Sequence, residues 1–473
     1  MLPPPDRAVA DPAYRRALEQ VFSFSAGRKP ETGPDRRRKI PRMQALLAAL
    51  GNPHHAYPAL LVAGTKGKGS TAAFAAAILR AAGYRVGRYC QPHLLSYRER
   101  IWIDGTLLAM EDLVRLVDEV APAARALERR HPDLGTPTTF EVGTALALLA
   151  FARQQVQVAV VEVGIGGAHD ATRVVDAPVA AVAPISYDHV AVLGPTIGDI
   201  AREKAGVFAE GGSAAIGRQL PEAAAVLTRV AEARRCHLSW LDQEFGWEAV
   251  GSPLPTAPCR LWGPWGRIEG VQPSLVGRHQ RDNAAVAAMA THLLGQHGFP
   301  VDRDAIAAGL STAVWPGRFQ VVPGSPLLVL DGAHNGASAE ALAATLRECF
   351  PRRPVVVVLA VGEDKDVDGI TAALSTIAHR AVVTRTTHER AMDAERVGQL
   401  LAARGVAVEV RARSDDALQR AMAAAGPDGV VCVTGSLFLV GEALASLESS
   451  GRALPHGTAA SIQPPPPAMT PHH

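Results

Sequence analysis

The fold of this chain is decided by the stretch LLVAGTKGKGST at residues 60–71. Its apolar first residues predict a buried strand, and the three glycines after them predict a tight loop. The small residues from Ala72 to Ala82 predict a helix that ends at Gly83. A strand, a glycine-rich loop and a helix N-terminus together favour an anion, because backbone N–H groups and the helix dipole converge there.

The side chains of the same stretch indicate a nucleotide. Lys68 can reach the terminal phosphates, and Ser70 or Thr71 can offer a hydroxyl group to the magnesium ion that accompanies them. The spacing differs from the common Walker pattern, because Gly69 separates Lys68 from Ser70. Val62 stands where that pattern has its first glycine. The stretch therefore predicts a phosphate site, with an ordinary strand-to-helix turn as the alternative.

Length and composition limit the possible partners. A chain of 473 residues is too long for one ordinary core, so two or three domains are expected. Hydrophobic residues make up 48% and charged residues 20%, which is typical of a soluble globular protein. A net charge of +2 provides no field for non-specific nucleic-acid binding. No apolar run approaches membrane-spanning length. From the charge we expect no nucleic acid as a partner, and from the missing apolar run we expect no membrane.

The cysteines and the first residues indicate the compartment. The five cysteines are scattered, without metal-type spacing: Cys90, Cys236, Cys259, Cys349 and Cys432. That usage fits a reducing cytoplasm. Prolines and charges occupy the N-terminus, where a signal peptide needs an apolar segment. We therefore expect a cytoplasmic protein, and we expect its densest basic run, residues 36–39, to lie in a solvated loop.

Polar residues follow two further apolar runs that predict buried strands. Residues 156–163 contain Glu162 near their end and lead into a second glycine-rich loop. Residues 179–185 are followed by Asp188 and His189. The carboxyl ends of neighbouring parallel strands meet at one edge of a sheet, where open α/β sheets bind ligands. A buried Glu162 carboxylate needs a partner, and the sequence leaves open a metal ion or a purely structural pairing.

Two complete α/β patterns predict two domains and a tail. We expect an N-terminal domain over residues 1–318, a C-terminal domain over 319–448 and a disordered Pro-rich tail over 449–473. Residues 242–276 predict short antiparallel strands. The C-terminal domain alternates strands and helices regularly, which predicts a parallel sheet. Asp331 and His334 follow its first strand, the usual position of a site.

These residues indicate a nucleotide-dependent enzyme. Lys68, magnesium and an arginine such as Arg318 could position and neutralise a phosphoryl group. A small-molecule kinase, a GTPase switch and a structural nucleotide-binding module are the competing interpretations. The chain has no Asn-Lys-x-Asp motif to read a guanine base. A structural module has little need for Glu162, His189 and His334 at strand ends, so the kinase remains.

From about residue 10 to 447 the chain resembles the folylpolyglutamate synthase/dihydrofolate synthase family, which belongs to the Mur-ligase-like ATP-dependent amide ligases. Eight motifs in the family's order carry the resemblance: Gly64–Ser70, Pro92–Leu94, Thr139–Glu141, Glu162–Gly167, Asp188–His189 with Leu193–Gly194, Arg202–Gly206, Pro316–Phe319 and Asp331–Asn335. The resemblance implies an α/β protein with an N-terminal P-loop-containing Mur-ligase-like ATP-binding domain and a C-terminal Rossmann-like domain.

The resemblance also implies an activity. ATP-dependent ligation would join L-glutamate to a folate or dihydropteroate carboxylate through an acyl phosphate, as in an acid–amino-acid ligase. Dihydropteroate, a reduced folate monoglutamate, or both would serve as the acceptor. Another Mur-like amide ligase or a small-molecule kinase is the alternative. The enzyme would act as a monomer in the cytoplasm, with ATP, L-glutamate and the folate as its partners and two Mg²⁺ ions.

Residue roles follow from the resemblance by position. The catalytic residues it implies are Lys68, Lys204 and His334. The nucleotide contacts it implies are Gly64, Thr65, Gly67, Lys68, Gly69, Ser70, Thr71, Asn283, Arg318, Asp331 and His334. The metal ligands are Ser70 and Glu162 for one Mg²⁺, and His189 with a CO₂-carboxylated Lys204 for a second. The pterin contacts are Pro92, His93, Leu94, Phe140 and Asp170.

Two points remain open within this resemblance. From the local sequence alone, Lys204 could instead pair with Glu203 or a neighbouring carboxylate on a helix surface. The chain also departs from the family pattern at four positions: Lys66 for asparagine, Gln91 for serine, Ala168 for arginine and Arg173 for asparagine. We expect these departures to affect the pterin and glutamate contacts rather than the nucleotide chemistry.

Overall fold

A computed structural model of the protein describes residues 11–25, 33–251 and 254–450. It divides into two compact units. Of the described residues, the first unit comprises 11–25, 33–251, 258–273 and 278–315, and the second comprises 254–257, 274–277 and 316–450. The domain limits that we expected at residues 318/319 stay a prediction. The predicted tail lies outside the described residues from 451 onward, and Ser449 still belongs to a helix.

The elements of the first unit follow in chain order. They are α1 (Pro12–Ser23), α2 (Lys39–Ala49), β1 (Ala59–Ala63), α3 (Lys68–Ala81), β2 (Val86–Tyr89), β3 (Ile101–Ile103), β4 (Thr106–Leu107), α4 (Met110–Arg130), α5 (Thr139–Arg153), β5 (Val158–Glu162), β6 (Val179–Val182), α6 (Val190–Leu193), α7 (Ile197–Lys204), β7 (Ser213–Ile216), α8 (Pro221–Ala233), β8 (His237–Trp240), β9 (Gly246–Ala249), β10 (Cys259–Gly263), β11 (Gly266–Val271), α9 (Arg278–Leu294) and α10 (Arg303–Thr312).

Eight strands of this unit form one sheet in the order β4-β3-β2-β5-β1-β6-β7-β8. The six strands from β2 to β8 in that order are parallel, and β3 and β4 extend the sheet antiparallel. Every residue of β1 and β5 is buried, as expected for the central strands of a parallel sheet. Val62 of β1 lies opposite Glu162 on one side and Ala181 on the other. The predicted meeting of three neighbouring strand ends is therefore confirmed.

Helix α3 begins at Lys68, four residues before the predicted start at Ala72. Gly69, Ser70 and Thr71 are weak helix formers, so propensity alone places the start too late. Gly67 precedes the helix with φ of 86°, a left-handed conformation that glycine adopts without strain. The early start puts Lys68, Gly69 and Ser70 in the first turn, where backbone N–H groups have no intrahelical acceptor.

The core of the first unit also contains a buried ion pair. Arg42 of α2 donates from Nε to Glu141 Oε1 at 2.8 Å, and each side chain is 1% exposed. Glu141 completes a capping box with Thr138 at the start of α5. Nearly all of α5 is apolar and buried, which confirms the predicted buried helix. The motif Thr139–Glu141 thus joins two helices through a buried charge pair.

Two further predictions for the first unit have definite outcomes. Residues 242–276 contain β9, β10 and β11, which form a three-stranded antiparallel sheet as predicted. The prediction of a solvated basic run at residues 36–39 is wrong for Arg36, which is 3% exposed. Its guanidinium donates to Glu203 Oε2 at 3.0 Å and approaches the carbonyl oxygen of Ile165. Arg37 and Arg38 are exposed.

The second unit contains the elements β12 (Gln320–Val322), β13 (Leu327–Leu330), α11 (Gly336–Cys349), β14 (Val355–Leu359), α12 (Val367–Ser375), β15 (Ala378–Val383), α13 (Ala394–Ala402), β16 (Ala407–Val410), α14 (Ser414–Ala425), β17 (Val430–Thr434) and α15 (Leu437–Ser449). Its sheet has the order β12-β13-β17-β14-β15-β16, in which β13 to β16 are parallel as predicted. The sequence did not predict β12, which pairs antiparallel with β13 at the edge.

No helix in the described ranges is long and apolar enough to cross a membrane.

Candidate active site

The loop between β1 and α3, residues 64–67, is shaped by close packing around its glycines; we call it the nucleotide loop. A Cβ on Gly64 would stand 2.8 Å from the Ala183 carbonyl oxygen, and one on Gly67 would stand 2.4 Å from Asn283 Oδ1. Gly64 and Gly67 also have positive φ angles of 135° and 86°. No side chain fits at either position, so the backbone of this loop is free to approach a ligand.

Hydrogen bonds to the neighbouring strand end fix the nucleotide loop. The Thr65 N–H donates to the Pro184 carbonyl oxygen at 2.9 Å. The Thr65 hydroxyl donates to the Ser186 carbonyl oxygen and accepts from the Ser186 N–H, both at 3.1 Å. The two loops that follow β1 and β6 are thereby joined. This arrangement preorganises the N-terminus of α3 before any ligand binds.

The polar side chains in the first turn of α3 make few hydrogen bonds or ion pairs within the described part of the chain. Lys68 Nζ donates to the Thr65 carbonyl oxygen at 3.3 Å, and no Asp or Glu among the described residues forms an ion pair with it. Ser70 and Thr71 are buried, and Thr71 Oγ1 has no hydrogen-bond partner in the described part of the chain. An uncompensated ammonium beside a helix N-terminus suits a polyanionic phosphate.

Asn283 of α9 lies against this loop from a second element. Its Nδ2 donates to Gln280 Oε1 at 3.0 Å, and the side chain is 4% exposed. Its carboxamide occupies the space that a side chain at Gly67 would need. The structure therefore places Asn283 beside the nucleotide loop, and its contact with ATP stays a prediction.

Lys204, the last residue of α7, is buried beside the same loop. Its Nζ donates to the Gly64 carbonyl oxygen at 2.6 Å, and the residue is 4% exposed. Burial, followed by the charge of Lys68, lowers the pKa of Lys204 from 10.5 to about 7. The alternative of a surface pair with Glu203 is wrong, because Lys204 is buried and Glu203 forms its ion pair with Arg36.

The second glycine-rich loop packs directly on the end of α7. A Cβ on Gly167 would stand 2.7 Å from the Glu203 carbonyl oxygen and 2.8 Å from that of Lys204. The Ala168 N–H donates to the Glu203 carbonyl oxygen at 2.8 Å. This contact explains the glycine at position 167, because a larger residue there would displace Lys204.

The predicted metal ligands lie on elements of the same sheet edge. Glu162 ends β5, is 6% exposed, and accepts a hydrogen bond from the Gln91 N–H at 3.1 Å through Oε2. His189 lies just before α6 with φ of 48°, and its side chain is about half exposed. Asp188, its neighbour, is among the charges that act on Lys204. Within the described ranges, no group of three or more His, Cys, Asp or Glu side chains is placed to hold a metal ion.

The predicted pterin contacts lie in the loop after β2, in the first turn of α5 and in the second glycine-rich loop. Leu94 N–H donates to Glu99 Oε2, and His93 Nδ1 accepts from Arg100 Nε at 2.9 Å. Phe140 contacts Gly164, since a Cβ there would stand 2.7 Å from its Cζ. Asp170 is 3% exposed and accepts from the Ile165 and Thr172 N–H groups and the Thr172 hydroxyl. Asp170 thus closes the second glycine-rich loop, and its role as a pterin contact stays a prediction.

In the second unit, Asp331 organises the loop after β13. Asp331 Oδ2 accepts from the Phe319 N–H at 2.7 Å, and Oδ1 accepts from the Ala333 N–H at 2.8 Å. The Gly332 N–H donates to the Gly317 carbonyl oxygen. Phe319 is held at φ of 44°, an uncommon angle for an aromatic residue. The segments Pro316–Phe319 and Asp331–Asn335 therefore form one structural element, although the sequence separates them.

Arg318 and His334 are carried by that element. The Arg318 guanidinium donates to the Gly317 carbonyl oxygen at 3.1 Å and covers Gly332. His334 Nδ1 lies 2.8 Å from the Gly332 carbonyl oxygen. If Nδ1 carries the proton and donates to this oxygen, Nε2 is the acceptor nitrogen of the ring. The structure brings Arg318, Asp331 and His334 together, and their contacts with a nucleotide stay a prediction.

Sequence reasoning missed an arginine that stacks on two tryptophan rings near the first turn of α3. Arg88 of β2 is 6% exposed and lies between two rings, 4.4 Å from the centroid of Trp102 and 5.2 Å from that of Trp315. Arg88 also donates to the Val314 carbonyl oxygen at 3.2 Å. Trp315 in turn lies over Gly69, where a Cβ would stand 2.4 Å from its ring. An arginine in an otherwise apolar strand was the available signal.

Comparison with protein families identifies two domains in this chain. Residues 62–291 match the Mur ligase middle domain, and residues 317–437 match the Mur ligase glutamate ligase domain. The chain is 39% identical over 414 residues to the dihydrofolate synthase/folylpolyglutamate synthase of Mycobacterium tuberculosis, covering 83% of this chain and 84% of that protein. It is 34% identical over 442 residues to the Bacillus subtilis protein of the same name, covering 91% and 98%.

Solved structures agree with these matches. The folylpolyglutamate synthase of Mycobacterium tuberculosis complexed with ADP superposes with a TM-score of 0.83 and 33% identity, covering 92% of this chain and 98% of that chain. Escherichia coli FolC in complex with DHPP and ADP superposes with a TM-score of 0.80 and 30% identity, covering 93% and 99%.

Proposed function

The chain belongs to the Mur ligase family, in its dihydrofolate synthase/folylpolyglutamate synthase group, and we propose that Lys68, Lys204 and His334 serve its chemistry. The reaction is ATP-dependent ligation of L-glutamate to a folate or dihydropteroate carboxylate. The observation that carries the assignment of residues is the convergence of Lys68 and Lys204 on the nucleotide loop.

The reaction has two steps. A carboxylate oxygen of the folate attacks the γ-phosphorus of ATP, the bond to the β–γ bridging oxygen breaks, and ADP leaves with that electron pair. The amino nitrogen of L-glutamate then attacks the acyl carbon, inorganic phosphate leaves, and a proton is lost from nitrogen to give the amide. Both steps spread negative charge over phosphate oxygens, so positioning and fixed positive groups supply the catalysis.

Lys68 and the α3 N-terminus are proposed to hold the β- and γ-phosphates. The ammonium has only a carbonyl oxygen as its partner, so it can turn to phosphate without breaking an ion pair. The glycines Gly64, Gly67 and Gly69 let the backbone approach, and Thr65, Ser70, Thr71 and Asn283 surround the phosphates in this proposal. Arg318 and His334 are proposed nucleotide contacts of the second unit, on a loop that Asp331 holds in shape.

The donor set at the sheet edge fits magnesium by its chemistry. Ser70 offers a hydroxyl oxygen in the first turn of α3, and Glu162 offers a carboxylate at the end of the adjacent strand. Magnesium prefers such oxygen ligands and usually retains water and phosphate in its shell. Ser70 and Glu162 would hold one Mg²⁺, while His189 and a modified Lys204 would hold a second. The ions would neutralise charge on the phosphates.

We propose that Lys204 is modified because its surroundings disfavour an ammonium. The amine is buried, lies near the positive Lys68 and has its pKa lowered to about 7, so a large fraction is neutral at physiological pH. The neutral nitrogen can attack the carbon of CO₂, one C=O electron pair moves to oxygen, and the nitrogen loses a proton. The resulting carbamate presents oxygen atoms where an ammonium would repel a divalent cation.

The pterin contacts are assigned from the family resemblance. The residues proposed to surround the pterin are Pro92, His93, Leu94, Phe140 and Asp170.

The cysteines bear on the compartment. All five are unpaired, which supports a reducing compartment. We propose that the enzyme works in the cytoplasm as a monomer.

An ADP-release assay tests the reaction. L-Glutamate is supplied with dihydropteroate or with tetrahydrofolate, and each component is omitted in turn. ADP and phosphate should appear only when an acceptor and L-glutamate are both present, and the preferred acceptor should give the higher kcat/KM. Equal ATP consumption without L-glutamate, with a stable phosphorylated pterin accumulating, would assign a kinase instead.

A further inference from the structure

A cavity of about 450 Å³ lies in the first unit, bordered by α2, the turn at Ala171–Val174, the turn after α7 and the end of α8. Its size is within the range of small-molecule sites. His55 and Asp176, which also line it, come just before β1 and β6. The nucleotide loop follows the opposite, carboxyl end of β1, and none of its residues lines this cavity.

Two arginines in the cavity wall converge on one backbone atom. Arg173 Nε donates to the Gly206 carbonyl oxygen at 2.8 Å, and Arg234 Nη1 donates to the same oxygen at 3.0 Å. Arg234 Nη1 also donates to the Phe208 carbonyl oxygen at 2.6 Å. Two like charges within reach of one oxygen repel each other. Burial, followed by the charge of Arg234, lowers the pKa of Arg173.

No carboxylate neutralises this pair. In the described ranges, neither guanidinium is within ion-pair distance of an Asp or Glu side chain, and their hydrogen-bond partners are carbonyl oxygens. Asp176 is the one carboxylate among the residues that line the cavity, and it is exposed. Helix capping accounts for Arg234, which follows the last residue of α8, because cations are favourable there. Capping does not account for Arg173, which follows no long helix.

We propose that this cavity binds the phosphate group of a small organic molecule, held between Arg173 and Arg234. Guanidinium groups recognise phosphate with paired N–H donors, and a dianion relieves the repulsion between the two arginines. Ile40, Val174 and Val175 supply apolar wall beside the charges, which suits the organic part of a phosphate ester. This inference is independent of the residue roles proposed for the ligase reaction.

The proposed phosphate site is connected through the backbone to the segment that contains Lys204. The carbonyl oxygen that both arginines hold belongs to Gly206, two residues after Lys204. A Cβ on Gly206 would stand 2.3 Å from Ala168 Cα, so this glycine packs tightly on the second glycine-rich loop. A bound phosphate that attracts the two guanidinium groups would weaken their hydrogen bonds to the Gly206 carbonyl oxygen. That oxygen lies two residues after Lys204, the residue proposed to carry the carbamate.

Calorimetric titration of the full chain with inorganic phosphate and with phenyl phosphate tests the proposal. Saturating Mg²⁺–ADP is present throughout to occupy the nucleotide loop. Phenyl phosphate should bind with one-to-one stoichiometry and more tightly than inorganic phosphate, because it also covers the apolar wall. Equal affinities would support phosphate recognition and make free phosphate the ligand. Absence of saturable binding of either probe would overturn the proposal.

Matched variants locate the binding. Arg173→Gln should weaken phenyl phosphate binding at least tenfold, and Arg234→Gln should do the same. Arg235→Gln is the control, because Arg235 is adjacent, exposed, paired with Glu210 and outside the cavity. Because Arg234 also caps two carbonyl oxygens, melting temperatures without phosphate check that each variant is folded. Unchanged affinity in a folded Arg173→Gln protein, or an equal loss in Arg235→Gln, would overturn the proposal.

Discussion

The two units each place a functional loop after a strand that pairs on both sides within its sheet, and the two loops are built in opposite ways. In the nucleotide loop of the first unit, glycines set the backbone, and Lys68 and Lys204 donate only to carbonyl oxygens. In the loop Asp331–Asn335 of the second unit, a carboxylate sets the backbone by accepting from Phe319 and Ala333. The first loop thus keeps its positive charges available, whereas the second uses its negative charge internally.

The difference has a consequence for substitutions. Lys68 contributes little to holding the first loop in shape, because its ammonium makes one long hydrogen bond to a carbonyl oxygen, so its removal should lower turnover and leave stability nearly unchanged. Asp331 holds two backbone N–H groups, so its removal should lower stability first and activity through the altered loop. Four experiments test this contrast, ordered by the size of the expected effect.

Lys68→Ala should have the largest effect. Removing a charge aimed at a developing phosphate typically lowers kcat by about 10²–10³-fold. The melting temperature should change little, since the ammonium bonds only to a carbonyl oxygen at 3.3 Å. Steady-state kinetics and thermal unfolding measure the two quantities, and Arg80→Ala is the control, because Arg80 lies near the other end of α3, is exposed and pairs with Asp104. A stability loss as large as that of Asp331→Ala would contradict the contrast.

Lys204→Ala should lower kcat by about 10²-fold, because it removes the group proposed to carry a carbamate. Added acetate should restore part of the activity by supplying carboxylate oxygens in the space left open. Arg202→Ala is the matched control, since Arg202 lies on the same helix but is exposed and pairs with Asp199. Near-normal turnover of Lys204→Ala in CO₂-depleted buffer would exclude the carbamate.

The carbamate itself should depend on pH. Lys204 has its pKa lowered from 10.5 to about 7, and only the neutral amine reacts with CO₂. In metal-free enzyme at fixed dissolved ¹³CO₂, the carbamate signal in ¹³C NMR should be strong at pH 8 and should fall as the pH drops through 7. Lys68→Ala should move the midpoint upward, because it removes a neighbouring positive charge. A signal that persists in Lys204→Arg would assign the carbamate to another lysine.

Asp331→Ala should have the smallest effect on chemistry and the clearest effect on stability. It leaves the N–H groups of Phe319 and Ala333 without their acceptor, which costs about 1–3 kcal/mol in the free energy of unfolding. Denaturant titration measures this loss, and Asp364→Ala, an exposed carboxylate paired with Lys365, is the control. Full stability of Asp331→Ala with a loss of turnover as large as that of Lys68→Ala would reverse the proposed contrast.

The sequence by itself determined the fold class, the parallel order of elements and the position of the nucleotide loop. These features depend on local patterns: apolar runs of strand length, glycines that permit a tight loop, and a regular alternation of strands and helices. The buried helix α5 and the antiparallel strands at 242–276 followed from the same kind of pattern. The motif series predicted the site residues by their positions in the chain. It gave no information on their geometry.

Only the tertiary structure decided what the charged residues contact. Arg36 looked like part of a solvated basic run, yet it pairs with Glu203, 167 residues away. Lys204 looked like a candidate for a surface ion pair, yet it lies buried against Gly64. Nothing in the sequence indicated that Asp170 accepts hydrogen bonds from Ile165 and Thr172 and so closes its own loop. A charged residue gives no local signal of its burial, because its partner is chosen by chain folding and not by neighbours in sequence.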